Sequence, residues 1–134
     1  MKEVLDFLNE NRPFYVATVD GDKPKVRPFG FVMGYEGKLW FSTNNQKDVY
    51  RQLRFNPYLE ISTFSPEKNR TWIRLHGKVV FSSSTDAKTK ALEISQKLAS
   101  LYSVDDPTFE MFYIEEGEAI FISQETGESK IVEL

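Results

Sequence analysis

The segment from Phe14 to Ser42 consists of short runs of strand-forming residues joined by very short turns. Runs and turns alternate in the order Phe14–Val19, Asp20–Lys23, Val26–Tyr35, Glu36–Gly37 and Lys38–Ser42. Turns of this length join neighbouring antiparallel strands, whereas parallel strands need a crossover of roughly a dozen residues or more. The segment therefore predicts a meander of three antiparallel strands.

The second run of this meander contains residues that weaken a strand. Pro28 cannot donate a ladder hydrogen bond, and Gly30 and Gly34 have no side chain to pack against a neighbour. We therefore expect an open edge or a bulge in this strand, where another group approaches the backbone closely. A ligand is one candidate for that group.

Apolar spacing along the rest of the chain predicts three helices and several more strands. Helices are expected at residues 2–11, ending before Pro13, at residues 47–56, ending before Pro57, and from Ala87 to Leu101 after N-cap candidates at 82–86. Further strands are expected at 58–64, 71–82, 111–115, 118–123 and 131–133. Six or more antiparallel strands with three helices in 134 residues favour one mainly β domain, a closed or split barrel, over a doubly wound sheet.

Composition excludes several kinds of chemistry. The chain has no cysteine and one histidine, so disulfides, thiolate catalysis, zinc–sulfur sites and histidine-rich metal sites are impossible. Neither a Walker GxxxxGK[ST] loop nor a GxGxxG turn between strand and helix is present. His76 lies in an alternating, strand-like segment, where a solvated or hydrogen-bonded histidine is more common than a catalytic one. Any cofactor must therefore be held by other residues.

No part of the sequence has the character of a membrane or export segment. The longest uninterrupted apolar runs have four residues, far fewer than the roughly 20 of a membrane helix. The first residues, Met1–Asp6, place acids within a short apolar stretch, which is not typical of a signal peptide. We therefore expect a cytoplasmic protein without a membrane partner.

Positive charge is concentrated in one part of the chain. Seven cations but only two acids lie between Lys23 and Arg54. This concentration suits a compact anion such as a phosphate, and an ordinary solvated basic face has the same pattern. The whole chain has a formal net charge of −3 and a sequence pI near 5.3. Because duplex-binding domains usually have a pI above about 9, we expect no nucleic-acid partner.

Two motifs resemble those of a known family. Val26–Gly30 lies on the second strand, and Leu39–Lys47 leads from a strand into a helix. In this order they resemble the pyridoxamine 5′-phosphate oxidase-like, FMN-binding split-barrel proteins. The C-terminal third is similar to the small bacterial members grouped with nitroimidazole-resistance proteins, and its matching segments are 101–102, 105–107 and 109–113. The resemblance covers nearly the whole chain.

The resemblance implies a six- to seven-stranded antiparallel split β-barrel and a homodimer that binds two FMN molecules in grooves between its subunits. A flavin phosphate is close to dianionic, so Arg27 as a bidentate donor and Lys47 as a point charge at a helix start are suited to it. The implied cofactor-binding residues are Arg27, Pro28, Phe29, Gly30, Phe41, Ser42, Thr43, Asn44, Gln46 and Lys47. Trp72, Tyr102 or Phe112 from the partner chain is expected to cover the isoalloxazine ring.

Each of these residues, taken singly, also has a simpler interpretation. Lys47 is equally explained as an ordinary helix charge, and Arg27 as a strand cation paired with Glu36 or Asp48. Large aromatic residues are most often part of a core or an interface. Two further cations, Arg51 and Arg54, fit either a solvated face or an auxiliary phosphate contact.

The resemblance implies an FMN-dependent oxidoreductase that acts on a small electron acceptor of the flavin, nitro or quinone type. A bound flavin transfers hydride at its own N5 atom without a dedicated protein acid or base. The vitamin B6 oxidase has a longer chain with an Arg/His-containing substrate segment, whereas this sequence ends in an acidic segment whose only cation is Lys130. Oxidation of pyridoxine phosphate is therefore not expected.

Two other classes of function fit the same sequence. One is a protein that stores or senses FMN or haem without turnover, for which His76 is the only possible histidine ligand of haem iron. The other is a dimeric module without a cofactor. A homodimer is expected in any case, because strand residues such as Phe29, Phe31 and Met33 need apolar cover.

Overall fold

Eight strands and four helices make up the chain, and the computed structural model describes residues 1–134. The helices are α1 Lys2–Glu10, α2 Asp48–Phe55, α3 Thr85–Ile94 and α4 Gln96–Leu101. The strands are β1 Phe14–Asp20, β2 Lys23–Phe29, β3 Val32–Tyr35, β4 Lys38–Asn44, β5 Tyr58–Ser65, β6 Thr71–Ser82, β7 Phe109–Ser123 and β8 Ser129–Glu133. None of the helices is long and apolar enough to cross a bilayer.

All strands belong to one antiparallel sheet. Its order is β2-β1-β5-β6-β7-β4-β3, and β8 pairs with β7. Several strands bury one face, as in β5, where Leu59, Ile61 and Thr63 alternate with more exposed neighbours. The prediction of a mainly β, antiparallel split barrel is confirmed, with eight strands instead of six or seven.

Aromatic side chains join the two ends of the sheet across the barrel interior. The ring centroid of Phe14 on β1 lies 6.0 Å from that of Phe41 on β4. The ring of Phe29 on β2 lies 6.4 Å from that of Phe112 on β7. The terminal strands β2 and β3 share no backbone ladder. Side-chain packing therefore closes a barrel whose backbone remains split.

The predicted three-strand meander is wrong in one respect. The run Val26–Tyr35 is not a single strand, because the chain leaves the sheet at Gly30 and Phe31. Its first part, β2, pairs with β1, and its second part, β3, pairs with β4 at the other end of the sheet. Of the residues that weaken this run, Pro28 lies just before the break and Gly30 lies within it. They leave β2 as an edge strand with an open side.

Two further boundaries differ from the prediction. The expected long helix is divided into α3 and α4 at Ser95, whose hydroxyl accepts a hydrogen bond from the backbone N–H of Leu98 and so caps a new helix. The expected strands at 111–115 and 118–123 form one strand, β7, with a register shift opposite Gly77. A Cβ at Gly77 would lie 2.3 Å from a methyl carbon of Ile114. The close approach of β6 to β7 at this register shift therefore requires glycine.

A second apolar cluster lies outside the barrel, under α3 and α4. It contains Met33, Trp40, Ala87, Ala91, Leu98, Phe109 and Met111. Met33 is only 2% exposed here, so the expectation that it needs cover from another chain is wrong. The two short helices of the same chain provide that cover.

Candidate functional site

A cleft of about 310 Å³ lies where β1, β2 and the start of α2 meet. Its position follows from the short connection between β4 and α2, which places the helix across β1. The cleft is lined by Asp20, Lys25, Val26, Arg27, Lys47, Asp48, Val49 and Gln52. The two cations that the sequence assigned to a phosphate, Arg27 and Lys47, therefore lie in the same cleft.

The guanidinium group of Arg27 is held by three acceptors. Its Nη1 donates to the Thr18 hydroxyl at 2.6 Å and to the carbonyl oxygen of Val16 at 3.3 Å. Its Nη2 donates to Oε1 of Gln52 at 2.6 Å. The Nε–H and one N–H of Nη2 have no partner within the chain. These two donors are available to an anion in the cleft.

The surroundings of Arg27 act on its charge in opposite directions. Partial burial lowers the pKa of the guanidinium, and the nearby carboxylate of Asp48 raises it. Because the pKa of arginine ordinarily lies far above neutral pH, the group remains charged. The simpler interpretation of Arg27, as a strand cation paired with Glu36 or Asp48, is not found: Arg27 forms no salt bridge with either acid, and Asp48 pairs with Arg51.

Lys47 is the N-cap residue of α2, one position before the helix rather than in its first turn. No side chain caps this helix start, so its first backbone N–H groups are free to bind an acceptor. The two carboxylates that line the cleft, Asp20 and Asp48, both face Arg51, at 3.5 and 3.6 Å. Arg51 thus offsets these acids, and Lys47 remains an exposed cation at the cleft.

The loop between β4 and α2 is braced by the segment before β7. Asn44 donates to the hydroxyl of Tyr102 at 3.2 Å, and its own side-chain oxygen accepts from the backbone N–H of Gln46 at 2.8 Å. Tyr102 in turn stacks on Phe109, with ring centroids 4.7 Å apart. Three of the sequence-assigned residues, Asn44, Gln46 and Tyr102, therefore form one network beside the cleft, which fixes the loop that carries Lys47.

The same segment contains an acid with an altered pKa. Asp106 accepts hydrogen bonds from the backbone N–H and the hydroxyl of Thr108, at 2.8 and 2.7 Å. These bonds lower the pKa of the Asp106 carboxyl, the backbone bond being the larger cause. Asp106 is thereby kept ionised as the acceptor of this turn.

Two of the assigned aromatic residues belong to the core. Phe41 and Phe112 are both 0% exposed and stack on each other with ring centroids 5.4 Å apart. The side chains of both residues are thus turned into the barrel. The assignment of Phe41 as a ligand residue and of Phe112 as a cover for a flavin ring is therefore corrected, because neither side chain has surface for a ligand.

Trp72 lies elsewhere on the molecule. It lines a separate cleft of about 520 Å³ on the outer face of the sheet, together with Tyr15, Ser62, Thr63, Phe64 and Gln124. Within one chain, Trp72 is therefore not brought together with Arg27 and Lys47. Its predicted role requires a second chain.

The remaining assigned residues lie on β4 or at the end of β2. Pro28 and Gly30 are exposed at the end of the edge strand β2, and a Cβ at Gly30 would meet no atom within 4 Å. Phe29 packs its side chain against the core. On β4, Thr43 is buried and Ser42 is half-buried. The open backbone at Gly30 is thus the most accessible part of this group.

His76 lies apart from the cleft that Arg27 and Lys47 line. It is on the exposed outer face of β6, where its Nε2 is 3.5 Å from a carboxylate oxygen of Glu118. The chain also contains no group of three or more potential metal-ligating side chains.

Sequence reasoning missed two residues of the cleft, Thr18 and Gln52. Both are 3% exposed, and the Thr18 hydroxyl donates to Oε1 of Gln52 at 2.6 Å. A signal for each was present in the sequence. Thr18 falls on the buried face of β1 with Phe14 and Val16, and Gln52 interrupts the apolar face of α2. A polar residue on a face that is otherwise apolar needs a partner.

The family model of pyridoxamine 5′-phosphate oxidase matches residues 1–123. The chain therefore belongs to this family, in agreement with the resemblance in its motifs. It is similar to a NimC/NimA family protein from Clostridium acetobutylicum, with 43% identity, a TM-score of 0.93, and coverage of 100% of this chain and 92% of that one. No curated protein matches the chain.

More distant structures share the fold. A pyridoxamine 5′-phosphate oxidase-related, FMN binding protein from Nostoc punctiforme is 15% identical, with a TM-score of 0.61 and coverage of 96% of this chain and 90% of that one. A heme binding protein from Mycobacterium smegmatis is 13% identical, with a TM-score of 0.70 and coverage of 92% and 54%. Proteins of this fold thus include both flavin and haem binders.

Proposed function

We propose that this protein binds FMN, with the phosphate in the cleft that Arg27, Lys47 and the start of α2 line. The observation that carries the proposal is the unused donor capacity of this cleft. Arg27 has two N–H groups without a partner, and the N-terminus of α2 has no side-chain cap. Charge-assisted donors and a helix start are the usual ligands of a phosphate group.

The rest of the cofactor would extend along the end of β2. Pro28 has no backbone N–H, and Gly30 leaves open space beside the chain, so a flat ring can approach this edge. Asn44 and Gln46 hold the loop that carries Lys47 in place beside the phosphate. The residues proposed to hold FMN are thus Arg27, Lys47 and the backbone from Pro28 to Gly30.

When bound, FMN supplies hydride and electron transfer at its ring, and the protein's part is to bind and orient it. We propose an oxidoreductase that acts on a small electron acceptor of the flavin, nitro or quinone type. The FMN binding protein from Nostoc punctiforme, which shares this fold, supports a flavin as the cofactor. The exposed position of His76, beside Glu118 and outside the cleft that Arg27 and Lys47 line, gives no support to a haem-binding function.

Lys47→Ala is expected to weaken FMN binding by roughly ten- to a hundredfold, because a charge-assisted contact contributes about 1.5–3 kcal/mol. The free energy of unfolding without FMN should change little, since the Lys47 side chain is exposed. Titration of the apoprotein by flavin fluorescence quenching measures the affinity. Higher salt should weaken wild-type binding more than binding by the variant.

Lys68→Ala is the matched control for this change. Lys68 is also an exposed lysine, and its ammonium pairs with Glu10 at 2.6 Å, away from the cleft. Neither FMN affinity nor stability should change in this variant beyond a few tenths of a kcal/mol. Equal FMN affinity of the Lys47→Ala and Lys68→Ala proteins would show that the phosphate does not lie at α2.

The proposed active form is a homodimer with FMN at the subunit interface. The outer face of β2, β1 and β5 carries exposed apolar side chains, among them Tyr15 at 49%, Val26 at 67% and Phe64 at 38% exposure. Trp72 borders the same face. Burial of this face against a second copy would remove these side chains from water and bring Trp72 of one subunit towards the cofactor of the other.

Light scattering at micromolar concentration should give a mass of twice 15.6 kDa. Val26→Glu should shift the mass towards that of a single chain, because it buries a charge at the proposed interface. A monomeric mass for the wild-type protein would contradict the proposed dimer.

A further inference from the structure

Gln52 is a buried polar residue on the apolar face of a helix. It is 3% exposed and lies between Val49 at 4% and Leu53 at 1% on the side of α2 that packs against β1. A buried amide destabilises the fold unless its oxygen and nitrogen have partners. We therefore ask which groups the Gln52 amide binds.

The hydrogen-bond chemistry fixes the orientation of the Gln52 amide. Arg27 has only donors, so the Gln52 atom 2.6 Å from its Nη2 must be the carbonyl oxygen. The Thr18 hydroxyl accepts from Arg27, and its single hydrogen then points to the same Gln52 oxygen, also at 2.6 Å. No other assignment gives every atom of this triad a compatible partner. Oε1 of Gln52 therefore faces Arg27, and Nε2 faces away.

The amide nitrogen of Gln52 is left without a partner in the chain. No hydrogen bond from Nε2 is formed, yet no fully buried side-chain nitrogen or oxygen lacks a partner anywhere in the structure. Nε2 must therefore reach accessible space, and Gln52 lines the cleft with Arg27 and Lys47. Its two N–H groups are therefore donors without a partner in the chain, on a residue that lines the same cleft as Arg27.

We infer that Gln52 sets the preference of this cleft for a phosphate monoester. Its amide oxygen holds the guanidinium group of Arg27 in place, and its amide nitrogen donates a hydrogen bond directly to the anion. This inference rests on the proposed function. A neutral donor at this position binds an anion without adding charge, and it excludes groups that offer only donors. Gln52 is a positioning residue for Arg27 and a ligand of the phosphate at the same time.

Gln52→Glu tests this inference with little change of shape. Glutamate still accepts from Thr18 and Arg27, so the fold should persist, but the donor becomes an anionic oxygen that repels phosphate. We expect the FMN dissociation constant to rise by more than tenfold while the riboflavin dissociation constant stays within about twofold of wild type. Gln96→Glu, the same change at an exposed position on α4, should alter neither constant.

Gln52→Met provides a second variant that keeps the length of the side chain and carries no charge. It removes both the acceptor for Arg27 and the donor to the cleft, so FMN binding should again weaken selectively. If both variants keep the wild-type ratio of the two flavin constants, or if both fail to fold by circular dichroism, Gln52 is only structural and the inference is wrong. If wild-type protein itself does not prefer FMN, the proposed function fails and the inference with it.

Discussion

Arg27→Ala is expected to weaken FMN binding by about a hundredfold or more. The substitution removes the two unpaired N–H donors that face the cleft, and each charge-assisted hydrogen bond contributes about 1.5–3 kcal/mol. It also removes the Arg27 N–H donors to the Thr18 hydroxyl and to Oε1 of Gln52, which then accepts only from Thr18. We therefore expect the cofactor-free protein to lose about 1–3 kcal/mol of stability as well. Fluorescence titration and urea unfolding measure the two effects separately.

Two further variants separate charge from geometry. Arg27→Lys keeps the positive charge but lacks the paired N–H donors of a guanidinium group. Its FMN affinity should therefore lie between those of wild type and Arg27→Ala. Arg74→Ala removes an exposed arginine that pairs with Glu60 at 2.7 Å on the outer face, and it should leave FMN binding unchanged. If Arg27→Ala binds FMN as tightly as Arg74→Ala does, Arg27 is a structural residue without a role in cofactor binding.

Phe112→Ala is expected to have the largest effect on stability. The Phe112 ring is 0% exposed and lies 5.4 Å from the rings of both Phe41 and Phe81 and 6.4 Å from that of Phe29. Truncation of such a residue removes buried apolar surface and leaves a cavity, at a loss of about 3–5 kcal/mol. It also weakens the contact that closes the barrel between β2 and β7. Urea denaturation of the cofactor-free protein measures the loss.

Phe55→Ala is the matched control, since Phe55 is 89% exposed at the end of α2. Its removal should change the free energy of unfolding by less than about 0.5 kcal/mol. A loss below about 1 kcal/mol for Phe112→Ala would show that this ring does not close the barrel. Phe112 would then be free for the cofactor contact that its burial argues against.

Most elements of the fold could be predicted from local signals, because periodicity and turn residues report local structure. The division of Val26–Tyr35 could not, since β2 and β3 pair with strands far apart in the sheet and the pairing depends on closure of the whole barrel. The two predicted strands that form the single strand β7 differ from the prediction for the same reason, because their pairing depends on a partner strand distant in sequence. The two predicted strands stopped on either side of Glu116 and Gly117, but the long partner β6 pairs with β7 on both sides of these residues, with a register shift at Gly77.

The candidate site shows the same limit. Arg27 and Lys47 were assigned to one anion site because each belongs to one of the two motifs that resemble the family, and the structure places them in one cleft. The triad of Arg27, Thr18 and Gln52 joins β2, β1 and α2, so only the folded chain reveals it. Phe41 was misassigned because a motif position does not tell which face of a strand a side chain occupies.

The most direct test of phosphate binding in the cleft is a comparison of FMN with riboflavin, which has the same ring and no phosphate. Fluorescence-quenching titrations of the purified apoprotein measure both dissociation constants under identical conditions. If Arg27, Lys47 and α2 hold the phosphate, FMN should bind about a hundredfold or more tightly, and higher salt should reduce the difference. Equal dissociation constants for the two flavins would contradict the placement of a phosphate in this cleft.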